Sequence, residues 1–352
     1  MMELLYGDGY DALKILYTAI CAISIPVLFY VFSPALLARS IHDGGLGDTN
    51  VEETVLMEGE GEKSIEQEAY RSMLSLVIPA YNEELRLPIM LNETLSFLEK
   101  KGDEVVKTLA SACKRKHACG KSLNRPFEVL LIDDGSSDNT SDVFKRFVNK
   151  NKSTYSFATF RLIRLTENRG KGAALKAGMM RARSEFSLMV DADGATDIND
   201  LLSLSRGMNT HQIVIGSRAH LAKKSKAKRT FVRNLLMIAF HFFVSILCSA
   251  SINDTQCGFK LFTREASYCL FSNLHLQRWA FDTEIIILAE KLKIPMNEIG
   301  VNWQEIEGSK LDTSKFALIV ASVGMLRDMI CVNLCYSLGI WKFPSYISSD
   351  VN

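Results

Sequence analysis

Four times in this chain a short apolar run ends in a knot of polar residues and then gives way to a helical pattern. That rhythm constrains the fold more than any other feature. The runs are 74–78, 127–132, 160–165 and 186–190. They end in Pro79-Ala80-Tyr81-Asn82-Glu83, Asp133-Asp134-Gly135-Ser136-Ser137-Asp138, Asn168-Arg169-Gly170-Lys171-Gly172 and Asp191-Ala192-Asp193-Gly194. Runs of this length and composition read as buried strands. Strand followed by helix, repeated, specifies an α/β domain with a mainly parallel central sheet flanked by helices, whose ligands lie across the carboxyl edge. Knots spread over more than 100 residues then converge in space.

Asp191 and Asp193 are the sharpest of these signals. Two carboxylates separated by one small residue offer hard oxygen ligands suited to Mg²⁺ or Mn²⁺, cations that commonly bridge to substrate phosphates. An isolated pair of this kind is more often an acidic turn, so its weight comes from the other knots. Tyr81 can stack on a base, and Glu83, Asp133 or Asp134 can accept hydrogen bonds from a ribose or a base. Helix capping is the plainer role for Asp133 and Asp138. Arg169 and Lys171, set between glycines, suit a diphosphate. The spacing is not that of a P-loop, and no G-x-G-x-x-G follows the first strand, which argues against a dinucleotide dehydrogenase.

Ahead of this core, residues 15–38 are 24 residues without a charge. As a helix they span about 36 Å, enough for a hydrocarbon core of about 30 Å. Glu3, Asp8 and Asp11 against Lys14 alone do not make the basic start of a cleaved signal peptide, so a retained single-pass anchor is expected after a short tail at 1–14. Pro26 and Pro34 can kink the span without preventing insertion. The acidic tail and Arg39 place the C-terminal bulk on the cytoplasmic side. Residues 39–72 read as an acidic, solvated linker. The segment 101–126 reads as an inserted loop or an extension of the helix over 86–100, with a basic cluster at Lys114, Arg115 and Lys116. Eight cysteines at irregular positions suggest reduced thiols rather than a disulfide framework or a zinc site.

In this order the four knots resemble those of an inverting family-2 glycosyltransferase of GT-A fold. The resemblance implies a nucleotide-sugar donor, contacted by Pro79, Tyr81, Glu83, Asp133, Asp134, Asn168, Arg169, Lys171, Asp191, Ala192 and Asp193, with the metal held by Asp191 and Asp193.

The second half narrows the likeness. A fifth strand, 213–217, ends in Arg218, and residues 218–233 carry seven Lys/Arg and no acid. An 18-residue apolar run at 235–252, containing His241, follows. A single crossing there would separate Arg218 from Asp254, so a surface-lying or core-packed helix is expected, with the basic cluster facing phosphates. Arg229-Thr230-Phe231-Val232-Arg233-Asn234, Asp254-Thr255-Gln256-Cys257-Gly258-Phe259-Lys260, Arg278-Trp279-Ala280-Phe281-Asp282 and Glu305-Ile306-Glu307-Gly308-Ser309-Lys310 strongly resemble the dolichyl-phosphate β-glucosyltransferases, over about 73–341. That family implies UDP-glucose as donor, dolichyl phosphate as acceptor, and a site on the cytosolic face of the endoplasmic reticulum membrane. Asp193, Asp282 and Arg218 are the catalytic candidates. Arg218, Arg229 and Arg233 are candidates for the acceptor phosphate. Asp282, where hydroxyl-using relatives carry a base, is expected to position the acceptor, with deprotonation or a plain N-cap as alternatives. Some polyprenyl-phosphate relatives add a glutamine metal ligand where this chain has Ala195.

The catalytic domain is expected over 73–312, with 218–252 on its acceptor side. Membrane-associated amphipathic helices follow over 313–341, then a tail at 342–352. Arg327-Asp328 interrupts the apolar residues there, so neither half reaches spanning length. Transfer of mannose from GDP-mannose and a tethered nucleotide-sugar-binding protein without turnover are the competing readings. A nucleic-acid role fits poorly: the net charge is +1, and the basic stretch lacks interleaved solvent-facing aromatics and any recognised reader motif. No oligomeric state follows from the sequence, and glucose rests on the resemblance alone.

Overall fold

The computed structural model describes residues 26–36, 51–57, 72–113, 125–221, 246–249, 251–306 and 315–343. One eight-stranded sheet organises them, in the spatial order β1-β4-β3-β2-β5-β7-β6-β8. The strands are β1 (Val51–Met57), β2 (Ser72–Ala80), β3 (Phe127–Asp133), β4 (Ala158–Leu165), β5 (Ser184–Met189), β6 (Ile213–Ser217), β7 (Lys260–Thr263) and β8 (Met296–Gly300). The central strands β4, β3, β2 and β5 are parallel to one another. Both flanks bring in antiparallel pairs, β1 on β4 and β7 between β5 and β6. The expected mainly parallel sheet therefore holds at the centre, and the whole is a mixed sheet.

Helices cover both faces because the strand side chains alternate. Leu76, Ile78, Val129 and Leu131 point to one face, packing with residues of α1 (Leu87–Ala112), α2 (Thr140–Asn151) and α4 (Leu201–Gly207). Val77, Leu130, Ile132 and Met189 point to the other, under α3 (Lys171–Met179), α5 (Arg264–Ser272) and α6 (Phe281–Lys291). α1 shows the mechanism most plainly. Leu87, Met90, Leu91, Thr94, Leu95, Leu98, Val105 and Leu109 recur at three- and four-residue spacing and are all buried, and a proline opens the first turn. The helix continues through the expected 101–126 insertion as far as Ala112; residues 114–124 lie outside the described residues. α3 is built from small residues and sits close to the sheet: a Cβ on Gly178 would lie 2.5 Å from Ile132 Cδ1 and 2.6 Å from Val77 Cγ1.

The linker expectation needs correction. Residues 51–57 form β1, paired antiparallel with β4 from Val51↔Leu165 onward. Composition hid the reason, which lies in the partner. Buried Arg161 reaches Glu53 at 2.5 Å and Glu128 at 2.5 Å, and Glu128 also accepts the Ser75 hydroxyl. One acid of an apparently solvated charge run thus supplies one of the two carboxylates that flank a buried arginine. The thiol expectation is also corrected in one place. Cys248, Cys257, Cys269, Cys331 and Cys335 are free, whereas Cys113 is disulfide-bonded.

Of the expected anchor, residues 26–36 are helical and the remainder lies outside the described residues. The C-terminal helices expected over 313–341 are one helix, α7 (Lys315–Ser337). Its Arg327 guanidinium lies over the Tyr30 ring, 5.2 Å from the centroid, so the two segments pack together. Among the described residues no helix is long and apolar enough to cross a membrane.

Candidate active site

The four knots meet at the carboxyl edge, and backbone hydrogen bonds join them. Asn82, at φ 54°, accepts from the Ser137 N–H at 2.8 Å, and the Asn82 N–H donates to Ser136 Oγ at 2.9 Å. Asparagine tolerates the left-handed region because its short amide satisfies nearby backbone. Asp134 accepts from Arg169 N–H and Gly170 N–H, both at 2.8 Å, one with each oxygen. Burial raises the Asp134 carboxyl above its ordinary value, although those two N–H groups oppose the shift. Gly170, at φ 101°, turns the chain into α3, where a side chain would collide with Gln277 O at 2.8 Å.

Several sequence candidates are committed to this scaffold. Asp133 Oδ1 accepts from Ser136 N–H at 2.8 Å and Oδ2 from the Ser141 hydroxyl, so it caps the turn and is no nucleotide ligand here. Asp138 accepts from Thr140 N–H at 2.9 Å, the other expected cap. Glu83 is a correction: it forms a two-pronged pair with Arg86 at 2.7 and 2.6 Å, which fixes the start of α1. Tyr81 and Pro79 are half-buried at the rim, Asn168 is exposed, Ala192 is buried, and Arg169 pairs with Glu167 at 3.4 Å.

At the centre lies an alternating set of charges. Lys171 Nζ is 2.5 Å from Asp191 Oδ1, and Lys260 Nζ is 2.5 Å from Asp282 Oδ1. Lys260 is completely buried and also donates to Cys257 O at 2.7 Å. Burial works against the Lys171 ammonium, but Asp191, Asp282 and Asp193 outweigh it and hold its pKa up. Burial and the neighbouring Asp191 raise the Asp193 carboxyl, which accepts from Ala195 N–H at 3.0 Å. Burial raises Asp282 as well, against the pull of Lys260 and Lys171. Gly258 lies flat against Asp191, and a Cβ there would stand 2.0 Å from Oδ2.

Lys260 and Gly258 went unassigned in the sequence although both lie in a quoted motif. The available signal was a lysine inside the apolar strand Lys260-Leu261-Phe262. A buried charge of that kind needs a partner.

The carboxylate pair fits a hard divalent cation. Asp191 Oδ1 is sealed from solvent and, despite the ion pair with Lys171, accepts no aligned hydrogen bond. Ala195 adds no ligand, and among the described residues no group of three His, Cys, Asp or Glu side chains is placed to hold a metal. Water and a diphosphate would complete the shell, as Mg²⁺ and Mn²⁺ commonly allow.

Arg218 is the clearest departure from expectation. Its Nε and Nη2 bond both Asp254 oxygens at 2.7 and 2.9 Å, and its guanidinium lies over Trp303, 5.5 Å from the centroid. A fork matched to a carboxylate is a buttress, not an open anion site. The pair joins residues on either side of 222–245, a segment that lies outside the described residues. Arg229 and Arg233 lie outside the described residues. A cavity of 630 Å³ opens behind the Asp193 turn, walled by Met90, Phe97, Gly194, Ala195 and Trp303.

The loop that backs α3 is held from beneath. Fully buried Glu284 accepts from Leu276 N–H at 2.7 Å and pairs with His275 Nδ1 at 2.9 Å, while Trp341 stacks on His275 at 4.0 Å.

A mixed α/β sheet with a carboxylate pair at its central strand end is the frame of a GT-A-like glycosyltransferase. The family described as Glycosyl transferase family 2 matches residues 75–271, and the chain belongs to it. Within that family its relatives are dolichyl-phosphate β-glucosyltransferases. It is 44% identical over 278 residues to the one from Dictyostelium discoideum, covering 77% of each chain. To the one from Homo sapiens it is 40% identical over 341 residues, covering 94% of this chain and 95% of that one. Glucosyl-3-phosphoglycerate synthase from Mycobacterium tuberculosis, solved with uridine diphosphate, superposes with a TM-score of 0.44 at 16% identity, covering 79% of this chain and 85% of that one.

Proposed function

We propose that the chain transfers glucose from UDP-glucose to dolichyl phosphate with inversion, giving dolichyl β-D-glucosyl phosphate and UDP. The product would serve as a glucose donor for lipid-linked oligosaccharide assembly at the endoplasmic reticulum membrane, with the catalytic domain facing the cytosol. The observation that carries the reading is the meeting of Asp191, Lys171, Asp282 and Lys260 at one strand edge in a chain so similar to glucosyltransferases of this acceptor.

In the reaction a phosphate oxygen of the acceptor forms the new bond to the anomeric carbon. The bond from that carbon to the UDP oxygen breaks, and UDP leaves with the electron pair from the opposite face. A phosphate monoester with a second pKa of about 6 is already largely ionised at neutral pH, so no strong base is required. Asp282, tied to Lys260, positions the acceptor side instead. Asp191 and Asp193 would hold Mg²⁺ or Mn²⁺, which supplies charge compensation for the departing diphosphate. The acceptor phosphate falls to Arg229 and Arg233, while Arg218 supports the Asp254 turn.

The test is label transfer in membranes supplied with dolichyl phosphate and either UDP-glucose or GDP-mannose, with and without Mn²⁺ or Mg²⁺. Metal-dependent glucolipid from UDP-glucose alone is expected. Mannolipid would overturn the donor, and no product from either would overturn the reaction.

A further inference from the structure

We infer that Lys171 is the resident cation of the Asp191 site: its ammonium holds the carboxylate while no donor is bound and is handed toward Asp282 when a divalent cation arrives with the nucleotide. The inference rests on the metal and donor reading above.

Three observations lead to it. First, the Lys171 ammonium and a metal would compete for one carboxylate. Lys171 Nζ stands 2.5 Å from Asp191 Oδ1, so a divalent cation on the same carboxylate would face the ammonium at close range. Repulsion between the two positive charges weakens both contacts. Second, Asp191 is the shorter and more closely backed of the two partners. Gly258 packs against it so that a Cβ there would stand 2.0 Å from Oδ2. The lysine can yield, because its backbone is fixed at the start of α3 while its four-carbon stem rotates. Third, a destination exists. Asp282 is the next carboxylate acting on Lys171, it is buried, and only its Oδ1 is taken up by Lys260.

The consequence is a coupled binding event. A metal entering alone must evict the ammonium into a buried pocket that already holds Lys260, which is costly. A diphosphate entering with it gives the displaced ammonium a second anionic partner. Metal and nucleotide should therefore strengthen each other's binding, within the usual coupling range of about 5–150-fold.

The experiment measures Mn²⁺ binding to the full-length protein in detergent, by the loss of the free-ion paramagnetic signal, with and without UDP. Wild type should bind Mn²⁺ weakly alone and much more tightly with UDP. Lys171→Met should bind Mn²⁺ alone about tenfold or more tighter than wild type and lose most of the gain from UDP. Lys171→Arg keeps the charge and should stay weak for the metal alone. Should the methionine variant not fold, Lys171→Gln removes the charge with a polar head and carries the same expectation. Equal Mn²⁺ affinity for wild type and the uncharged variants would overturn the resident-cation role while leaving the metal site intact. No Mn²⁺ binding by any of them, with or without UDP, would overturn the metal reading itself.

Discussion

Asp191 and Asp282 show how one charged residue is made tolerable by the next. Half-buried Asp191 and buried Asp282 each have their own lysine, and removing a lysine strands the acid. Lys260→Met is expected to cost about 3–5 kcal/mol, read as a lowered midpoint in urea unfolding. Asp193→Ala stands at a strand end rather than in the core, so it should abolish transfer with little loss of thermal stability; unchanged turnover would remove Asp193 from the metal site. Gly258→Ala tests the close approach to Asp191. It should destabilise the wild-type protein but cost little in an Asp191→Ala background, where the clash partner is gone. Asp134 carries a pH dependence whose sign can be worked out. Its folded pKa lies above the ordinary 3.8, so the folded form binds the extra proton. Relative to Asp134→Asn, wild-type stability should be fully present below the ordinary value and decline as pH rises through the raised one. Paired melting curves against pH check it.

At the scale of elements, α3 is the part whose placement matters most. Its small residues let it sit against β2 and β3, and that depth brings Lys171 to Asp191. Gly178→Val is expected to overpack this contact by about 1–3 kcal/mol and to raise the KM for the nucleotide sugar more than that for the acceptor. An equal change in both would mean that α3 does not set the donor site. β1 teaches the opposite lesson. Its sequence is acidic, and beside the packing of Val51 and Leu56 it is held by an arginine more than 100 residues away.

For the whole molecule, the helical residues 26–36 pack on α7, and α7 leads to Tyr336 and Trp341 around the Glu284–His275 pair beneath the donor loop. The segment expected in the bilayer and the loop that shapes the site are thus parts of one packed body. With the anchor proposed over 15–38, alkaline carbonate washing of membranes should leave the chain in the pellet. Release into the supernatant would overturn the anchor.

Much of this was legible in the sequence because local physics wrote it there. Buried strands must be apolar runs, and helices must show their stripe, so β2 to β6 and α1 could be read directly. Polar knots at the strand ends gave the edge on which the chemistry lies. Partners distant in sequence were not legible. No local pattern says that Glu53 pairs with Arg161 or that Arg218 is spent on Asp254, because an ion pair across the fold leaves no periodicity behind. The sequence by itself determined the layers, the carboxyl edge and the Asp191–Asp193 pair. Only the tertiary structure decided which charges are occupied, since a charge in a folded core is defined by what has been packed against it.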